Sequence, residues 1–390
     1  MDLIKNTRAA RIRRSAGCLL VSVFLLACAQ SADSASLPKS TQEMLKKLKL
    51  DASILSDIDK ELQVPREWEE KARKEGKLRV LTTPVSDREK EILLPFKERY
   101  PFIAIDFSGS SQEERTIKTL VAYKGGRIVA DLLTSIGGYF AAYRDANALE
   151  DLRLIPAWKN LPDGAKDPNG LWTGIYTLYW CMAYNTNLVK KEELPRKWED
   201  LLTNPKWRGG NLAVGNRPQV WAPQLWKAKG ESWTKDFLTK LLIEVKPQLR
   251  KEGLNALQEL LAPGEYQAVI PAWGTRTQQK VLDGAPLGFV CPEPVPVSVS
   301  DAVILKGAPN LNAARIFLNW LLSREGQIAQ YASAYITPVH RDLMRPEFIP
   351  FSDQVLGKEM SFRDPALEVD VVPQLEEFWN KLWMQPGRGK

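Results

Sequence analysis

Histidine and cysteine, which carry most nucleophilic and metal chemistry, are scarce in this chain of 390 residues: one His, His340, and four Cys. The short patterns of common enzyme classes are missing too. No G-x-S-x-G elbow, H-E-x-x-H, P-loop, G-x-G-x-x-G or C-x-x-C occurs, so acyl transfer, zinc proteolysis, nucleotide cradling and thiol exchange lack sequence support. Ser-His-Asp chemistry would rest on His340 alone. Asp and Glu are plentiful, but no spacing singles out a pair for carboxylate hydrolysis. No internal run reaches the roughly 18 apolar residues of a spanning helix, which makes the body of the protein soluble. What these absences leave is a binding module and not an enzyme, with no cofactor expected.

The one membrane-like segment is at the start. Lys5, Arg8, Arg11, Arg13 and Arg14 precede the apolar run Cys18 to Leu26, and Ala27-Cys28 follows. A basic patch, a short apolar run and a small-residue cut site make a secretory signal. Leu25-Leu26-Ala27-Cys28 resembles the bacterial lipobox, in which the cysteine is lipidated and becomes the new N-terminus; residues 1–28 are then a lipoprotein signal peptide, and the protein is exported and anchored to a lipid bilayer. The alternative is an ordinary signal cut near Ala32–Ala35. Loss of the signal lowers the formal charge from +7 to a balance of 49 basic against 46 acidic residues. That is too mild for a nucleic-acid partner, and no basic run is interleaved with aromatics. Cys181 and Cys291 remain. An exported compartment permits a disulfide between them, and two buried free thiols fit as well.

Residues 29–40 have the Ser, Ala and Gln content of a tether, and residues 41–76 are patterned as a helical lead-in; together 29–76 precede the main fold. From Lys77 strands and helices alternate. Strands are predicted at Leu78–Thr83, Phe102–Phe107 and Ile128–Leu133, with helices over Glu89–Tyr100 and Ser111–Lys124 between them. That alternation implies βαβ units and a parallel sheet, an α/β fold. Ligands bind beyond the C-terminal strand ends of such sheets, here Thr82-Thr83, Ser108–Ser111 and Thr134–Gly137. A second α/β unit starts near Tyr184, with strands at Asn211–Val214, Gln267–Ile270, Leu287–Cys291 and Ser298–Leu305. One long helix is predicted over Ala313–Gln330. A tail helix over Pro373–Leu382 is predicted to pack on the first unit. With 44% hydrophobic residues the chain can fill two lobes.

Four stretches, in order, carry a family resemblance. Ala183 to Val189 contains Tyr184-Asn185-Thr186. Leu194–Leu202 and Asn204–Gly209 read P-x-x-W-x-D-L followed by P-x-W-x-G. Pro263–Gln267 contains Gly264-Glu265-Tyr266. Lys306–Asn310, Ala313-Ala314 and Leu321–Gln327 read KGAPN, A-A and LLSREGQ. From Val80 to Val339 the chain resembles the ferric-iron, polyamine, thiamine and phosphonate binding proteins of bacterial ABC importers, the type II periplasmic binding fold. The resemblance implies two α/β lobes joined by two hinge crossover strands, lobe 1 at 77–180 plus 294–390 and lobe 2 at 181–293. It places Cys181 and Cys291 at the hinge. It implies a monomer that captures a small solute, here an anionic organic one, and delivers it to a membrane permease. A sensor subunit or surface adhesin would use the same fold without transport.

Candidate ligand contacts follow from the strand-end loops and the resemblance. Thr83, Ser108, Gly109 and Ser110 lie at the first two strand ends. Free N–H groups and hydroxyls there suit an anion, although Ser111–Glu114 reads equally as a capping box that needs no ligand. Ser135 and Gly137 follow the third strand, where the family meets its ligand and where a plain turn is the alternative. Arg217, before Pro218, could clamp an oxyanion or stay a solvated surface residue. In Pro271–Arg276 the iron-binding relatives carry adjacent tyrosines, whereas this chain has Ala272-Trp273. Neither supplies the anionic oxygen that Fe(III) prefers, which argues against ferric iron. Trp273 could instead wall an organic ligand, as could Trp172 and Tyr176. Tyr184 and Arg276 complete the set.

Overall fold

The computed structural model describes residues 37–83 and 90–384. The signal segment and Cys28 lie outside the described residues. Among the described residues no helix is long and apolar enough to cross a membrane.

Three short strands, β1 (Lys77–Thr82), β2 (Ala104–Gly109) and β3 (Leu132–Thr134), form the parallel part of the first lobe. In β1 the residues Leu78, Val80 and Thr82 alternate inward, the period expected of a sheet that buries one face. Two much longer strands adjoin them. β4 (Thr173–Asn185) and β9 (Val295–Ile304) are almost wholly buried. β9 pairs with β3 through Ala302–Ile304 and with β4 through Val297–Ala302. β4 then leaves β9, and its second half pairs with β7 (Ala268–Trp273) and β8 (Leu287–Val290). β5 (Leu212–Gly215) and β6 (Gln248–Arg250) complete the second lobe's sheet, parallel to β7. β4 and β9 are therefore the two strands that carry the chain between sheets. Cys181, where β4 turns to the second sheet, is disulfide-bonded to Cys291, just before β9.

Several sequence expectations are refined by local chemistry. The third strand starts later than Ile128, because Asp131 is fully buried and faces the KGAPN segment: its carboxylate accepts from the Asn310 side chain at 2.9 Å and from the Arg79 N–H at 2.8 Å. The single helix expected over Ala313–Gln330 is two, Leu311–Leu322 and Arg324–Ala334, broken at Ser323, which is extended and caps the second through the Gly326 N–H at 3.3 Å. A β-carbon at Gly326 would lie 2.2 Å from the Trp320 carbonyl, so LLSREGQ encodes a tight helix–helix corner that only glycine fits.

The lead-in helices, Lys39–Leu48, Ile58–Leu62 and Arg66–Glu75, pack on lobe 1 through Leu45, Leu62 and Trp68. Glu75 caps the helix Leu311–Leu322, accepting from the Ala313 N–H at 2.8 Å. Glu325, 1% exposed, accepts from Arg99 at 2.6 Å, Thr41 at 2.7 Å and the Trp320 indole at 3.0 Å.

The tail departs from expectation. β10 (Met360–Phe362) pairs with the start of β9, but the last helix, Pro365–Trp383, packs on lobe 2 and not on lobe 1. Its Val371, Leu375 and Trp379 join the core of Trp198, Trp207 and Trp221, and the Trp379 indole donates to Asn216 at 2.7 Å. The reason is apolar area: lobe 2 presents an aromatic-rich face there, and large aromatic side chains stabilise most when they meet one another.

Candidate functional site

The strand-end loops of lobe 1 are built around one arginine and one aspartate. After β2, Ser111 and Glu114 form a reciprocal capping box, each backbone N–H donating to the other's side chain at 3.2 Å. The helix beyond them takes a π turn over Glu114–Lys118. Arg115, on that turn and 4% exposed, reaches back beneath the loops and donates to the carbonyls of Ser110 at 2.9 Å, Thr82 at 3.3 Å and Ser135 at 3.3 Å. Burial lowers its pKa, against the charge of Asp301.

After β3, Ser135 adopts a left-handed conformation with φ 53°, a strain of about 1–3 kcal/mol for a residue with a β-carbon. It is held there by its N–H on the Asp301 carbonyl at 2.7 Å and by its hydroxyl on Ser300 at 2.7 Å. The Asp301 carboxylate accepts from the Ile136 N–H at 2.8 Å and the Gly137 N–H at 3.1 Å. These donors open the helical turn Gly137–Tyr139, so the position where an external anion would meet them is filled by the protein's own carboxylate.

Between the lobes lies a cavity of about 370 Å³. Lobe 1 supplies Gln112, Ser135, Gly137 and Gly138; the crossover strands supply Tyr176, Leu178, Trp180 and Ser298–Asp301. Lobe 2 supplies Arg217, Gln219, Val220 and Gln224, and the tail supplies Arg363 and Glu368. Arg363 donates to Glu368 through Nε at 2.7 Å and lies 4.0 Å from Asp301. Burial pulls the Arg363 pKa down, but the charges of Glu368 and Asp301 outweigh it and the net direction is up. Burial likewise pushes the Glu368 carboxyl up, opposed by Arg363. Arg217 is different: it is exposed, and its guanidinium has no partner among the described residues.

The sequence candidates divide. Ser135, Gly137 and Arg217 line the cavity. Ser108 bonds Asp106, Gly109 pairs with Thr82, and Ser110 is buried with its hydroxyl on the Thr82 carbonyl at 3.2 Å; these three shape the loop and do not line the cavity. Thr83 lines a small apolar space of about 60 Å³ beside Tyr176. Trp273 stands behind the wall, its ring 6.5 Å from that of Trp180. Tyr184 packs on Gly288 and lines a separate cavity of about 410 Å³, and Arg276 is half-buried and held by Glu259 at 2.7 Å. Those last two stand away from the cleft because β4 runs on past it and because Arg276 finds a carboxylate on the neighbouring helix.

Tyr176, one of the aromatic walls expected from the sequence, lines the cavity; Leu178 and Trp180 could have been found from the period of two along β4, and Ser298 and Ser300 from alternating polarity in an otherwise apolar strand. Arg363 and Glu368 carry no such signal. Among the described residues no group of three or more His, Cys, Asp or Glu could hold a metal ion. Ala272 is fully buried beside Cys181.

A model of the bacterial extracellular solute-binding protein family matches residues 128–350. Iron uptake protein A1 of Synechocystis is 26% identical over 193 residues, covering 46% of this chain and 53% of that protein. The chain spans about half the length of the curated relatives it matches. Among solved structures, the Trichodesmium protein IdiA (FutA) in complex with iron and citrate has a TM-score of 0.65 at 18% identity, covering 79% of this chain and 99% of that one. AfuA from Actinobacillus pleuropneumoniae with fructose-6-phosphate bound has a TM-score of 0.60 at 21% identity, covering 78% and 97%. At these identities the likeness is one of fold.

Proposed function

The chain belongs to the bacterial extracellular solute-binding proteins, and from that premise we propose that it captures a small organic anion between its lobes and delivers it to an ABC permease. In this reading it acts as a monomer, tethered to a bilayer through lipidated Cys28, and performs no catalysis. The observation that carries the ligand class is Arg217, a cation without a partner among the described residues, on the wall of a 370 Å³ cavity. Facing it are hydroxyls and side-chain amides, and Tyr176 and Trp180 offer flat apolar surface. Polar groups converging in a cleft between two lobes are what small-molecule sites look like. Organic anions also occupy two proteins of this fold, citrate with iron in one and fructose-6-phosphate in the other.

Ferric iron alone fits the residues less well. Ala272 and Trp273 offer no anionic oxygen, and the cavity's carboxylates, Asp301 and Glu368, are already engaged by backbone N–H groups and by Arg363. The test is thermal unfolding of the mature chain, with Cys28 replaced, against phosphate esters, phosphonates, carboxylates, polyamines and Fe(III). A ligand at a hundred times its dissociation constant adds about 2.7 kcal/mol of stability. Arg217→Ala should weaken an anionic hit by about tenfold or more, the value of a hydrogen bond to a charged group. A response to polyamines or to Fe(III) alone, unchanged by Arg217→Ala, would refute the reading.

A further inference from the structure

Tyr184 opens the Tyr-Asn-Thr run of the sequence and stands away from the interlobe cleft, yet its hydroxyl is not spent in packing. The residue is 8% exposed, and that hydroxyl has no hydrogen-bond partner among the described residues. A buried phenol ordinarily finds one. Burial and the nearby charge of Asp353 raise its pKa, so it keeps its proton and remains a donor. Tyr184 lines a cavity of about 410 Å³ that shares no lining residue with the interlobe cavity.

Much of this cavity is apolar and flat. Leu194, Pro195 and Val290 line it beside Phe289 and Phe351. The two phenyl rings lie 5.2 Å apart at an angle of 31°, so with Tyr184 they present aromatic surface from lobe 2 and from the tail. Lys191 and Arg196 also line it. Both are exposed, and neither side chain has an acidic partner among the described residues. The third cation, Lys358, is already engaged: it donates to the Cys291 carbonyl at 2.7 Å, and Glu293 and Asp353 stand near it. Asp353 is exposed and accepts from the Gln354 amide at 2.8 Å. Three groups are therefore left with nothing to bind, one phenolic donor and two cations.

We propose that this cavity is a second ligand site, independent of the interlobe cleft, and that it takes a small aromatic acid. The ring of the ligand lies against Phe289 and Phe351, and its carboxylate accepts from the Tyr184 hydroxyl and from Lys191 and Arg196. The phenyl faces select a planar ring, which stacks on them with offset contact. The unpaired cations select the sign, since an anion gains charge-assisted hydrogen bonds and a cation is repelled. A neutral arene would leave all three polar groups to water. None of this depends on what the interlobe cleft binds.

The experiment is calorimetric titration of the mature chain, with Cys28 replaced, against benzoate and 3-phenylpropionate. Benzylamine, benzyl alcohol and cyclohexanecarboxylate are the controls for sign, for charge and for flatness. The titrations are repeated on Lys191→Gln/Arg196→Gln, on Tyr184→Phe and on Arg217→Ala, after a comparison of unfolding midpoints. The double variant alters only exposed side chains, so it remains informative even where Tyr184→Phe loosens the core. The expected result is binding of the aromatic acids that persists in Arg217→Ala, with each control binding more weakly than benzoate. The double variant should weaken that binding by about tenfold or more, and Tyr184→Phe by about two- to tenfold. Equal affinity for benzoate, benzylamine and benzyl alcohol would overturn the proposal. Binding abolished by Arg217→Ala and unchanged in the double variant would also overturn it, because the acid would then sit in the interlobe cleft. Absence of binding by either aromatic acid would remove the second site and leave the reading of the cleft standing.

Discussion

Glu325→Gln tests a buried ion pair inside lobe 1 that the lead-in touches through Thr41. The carboxylate is 1% exposed and takes three donors, from Arg99, Thr41 and Trp320. Glutamine keeps the shape and one acceptor but removes the charge and turns an N–H₂ toward a guanidinium. Removing one partner of a buried ion pair costs about 3–5 kcal/mol, because the surviving charge is left uncompensated. Here Arg99 keeps a second anion, Asp59 at 3.1 Å and half exposed, so the expected loss is at the low end, about 3 kcal/mol. The assay is urea unfolding of the mature chain. With m of about 3 kcal/mol/M, that loss lowers the midpoint by about 1 M with m unchanged. Glu43→Gln is the control. Its pair with Lys39 spans 3.8 Å with both side chains mostly exposed, and its removal should change stability by less than about 0.5 kcal/mol. A loss below about 1 kcal/mol for Glu325→Gln would mean that water can replace the carboxylate, and the buried pair would no longer count as a main support of this part of lobe 1.

Replacing Cys181 and Cys291 together by serine opens a loop of sequence separation 110. The chain-entropy model gives a loss of about 4–5 kcal/mol by denaturant unfolding; a change under about 1 kcal/mol would show that the strands alone hold the crossover. Glu61 bears on acid stability. Burial alone would raise its pKa, but hydrogen bonds from His340 and Arg324 outweigh it and hold the carboxyl below its ordinary 4.5. The unfolded chain then binds the proton first, so this stabilisation is complete above pH 4.5 and is lost as pH falls toward the folded value. Glu61→Gln should flatten the fall of urea midpoints below that pH, and an unchanged slope would count against the pairing.

The fold was legible because its signals are local and periodic. β1 alternates inward and outward, β9 sets Ser298 and Ser300 between apolar neighbours, and P-x-x-W-x-D-L contains Asp200, whose carboxylate accepts from the Arg196 and Lys197 N–H groups at 2.8 and 2.9 Å. The site was legible only where a strand end points at it. Ser135, Gly137 and Arg217 reach the cavity that way, whereas Tyr184 has the right sequence neighbourhood but sits too far along β4. Arg363 and Glu368 could not be read at all. They reach the cleft through a tertiary return of the tail, and nothing in the local pattern of residues 360–370 distinguishes a return to lobe 2 from a helix lying on lobe 1.

That return changes the mechanics of the hinge. Two neighbouring strands, stapled near Cys181 and Cys291, behave as a flexure that bends easily about one line and resists little else. The tail adds a third connection, from β10 beside β9 to a helix seated in the lobe 2 core, and Arg363 and Glu368 sit at that joint. The lobes are thus tied at three places, the two strands and the tail. The tail's joint is also part of the cavity wall, so a ligand held there as proposed would touch the third connection between the lobes.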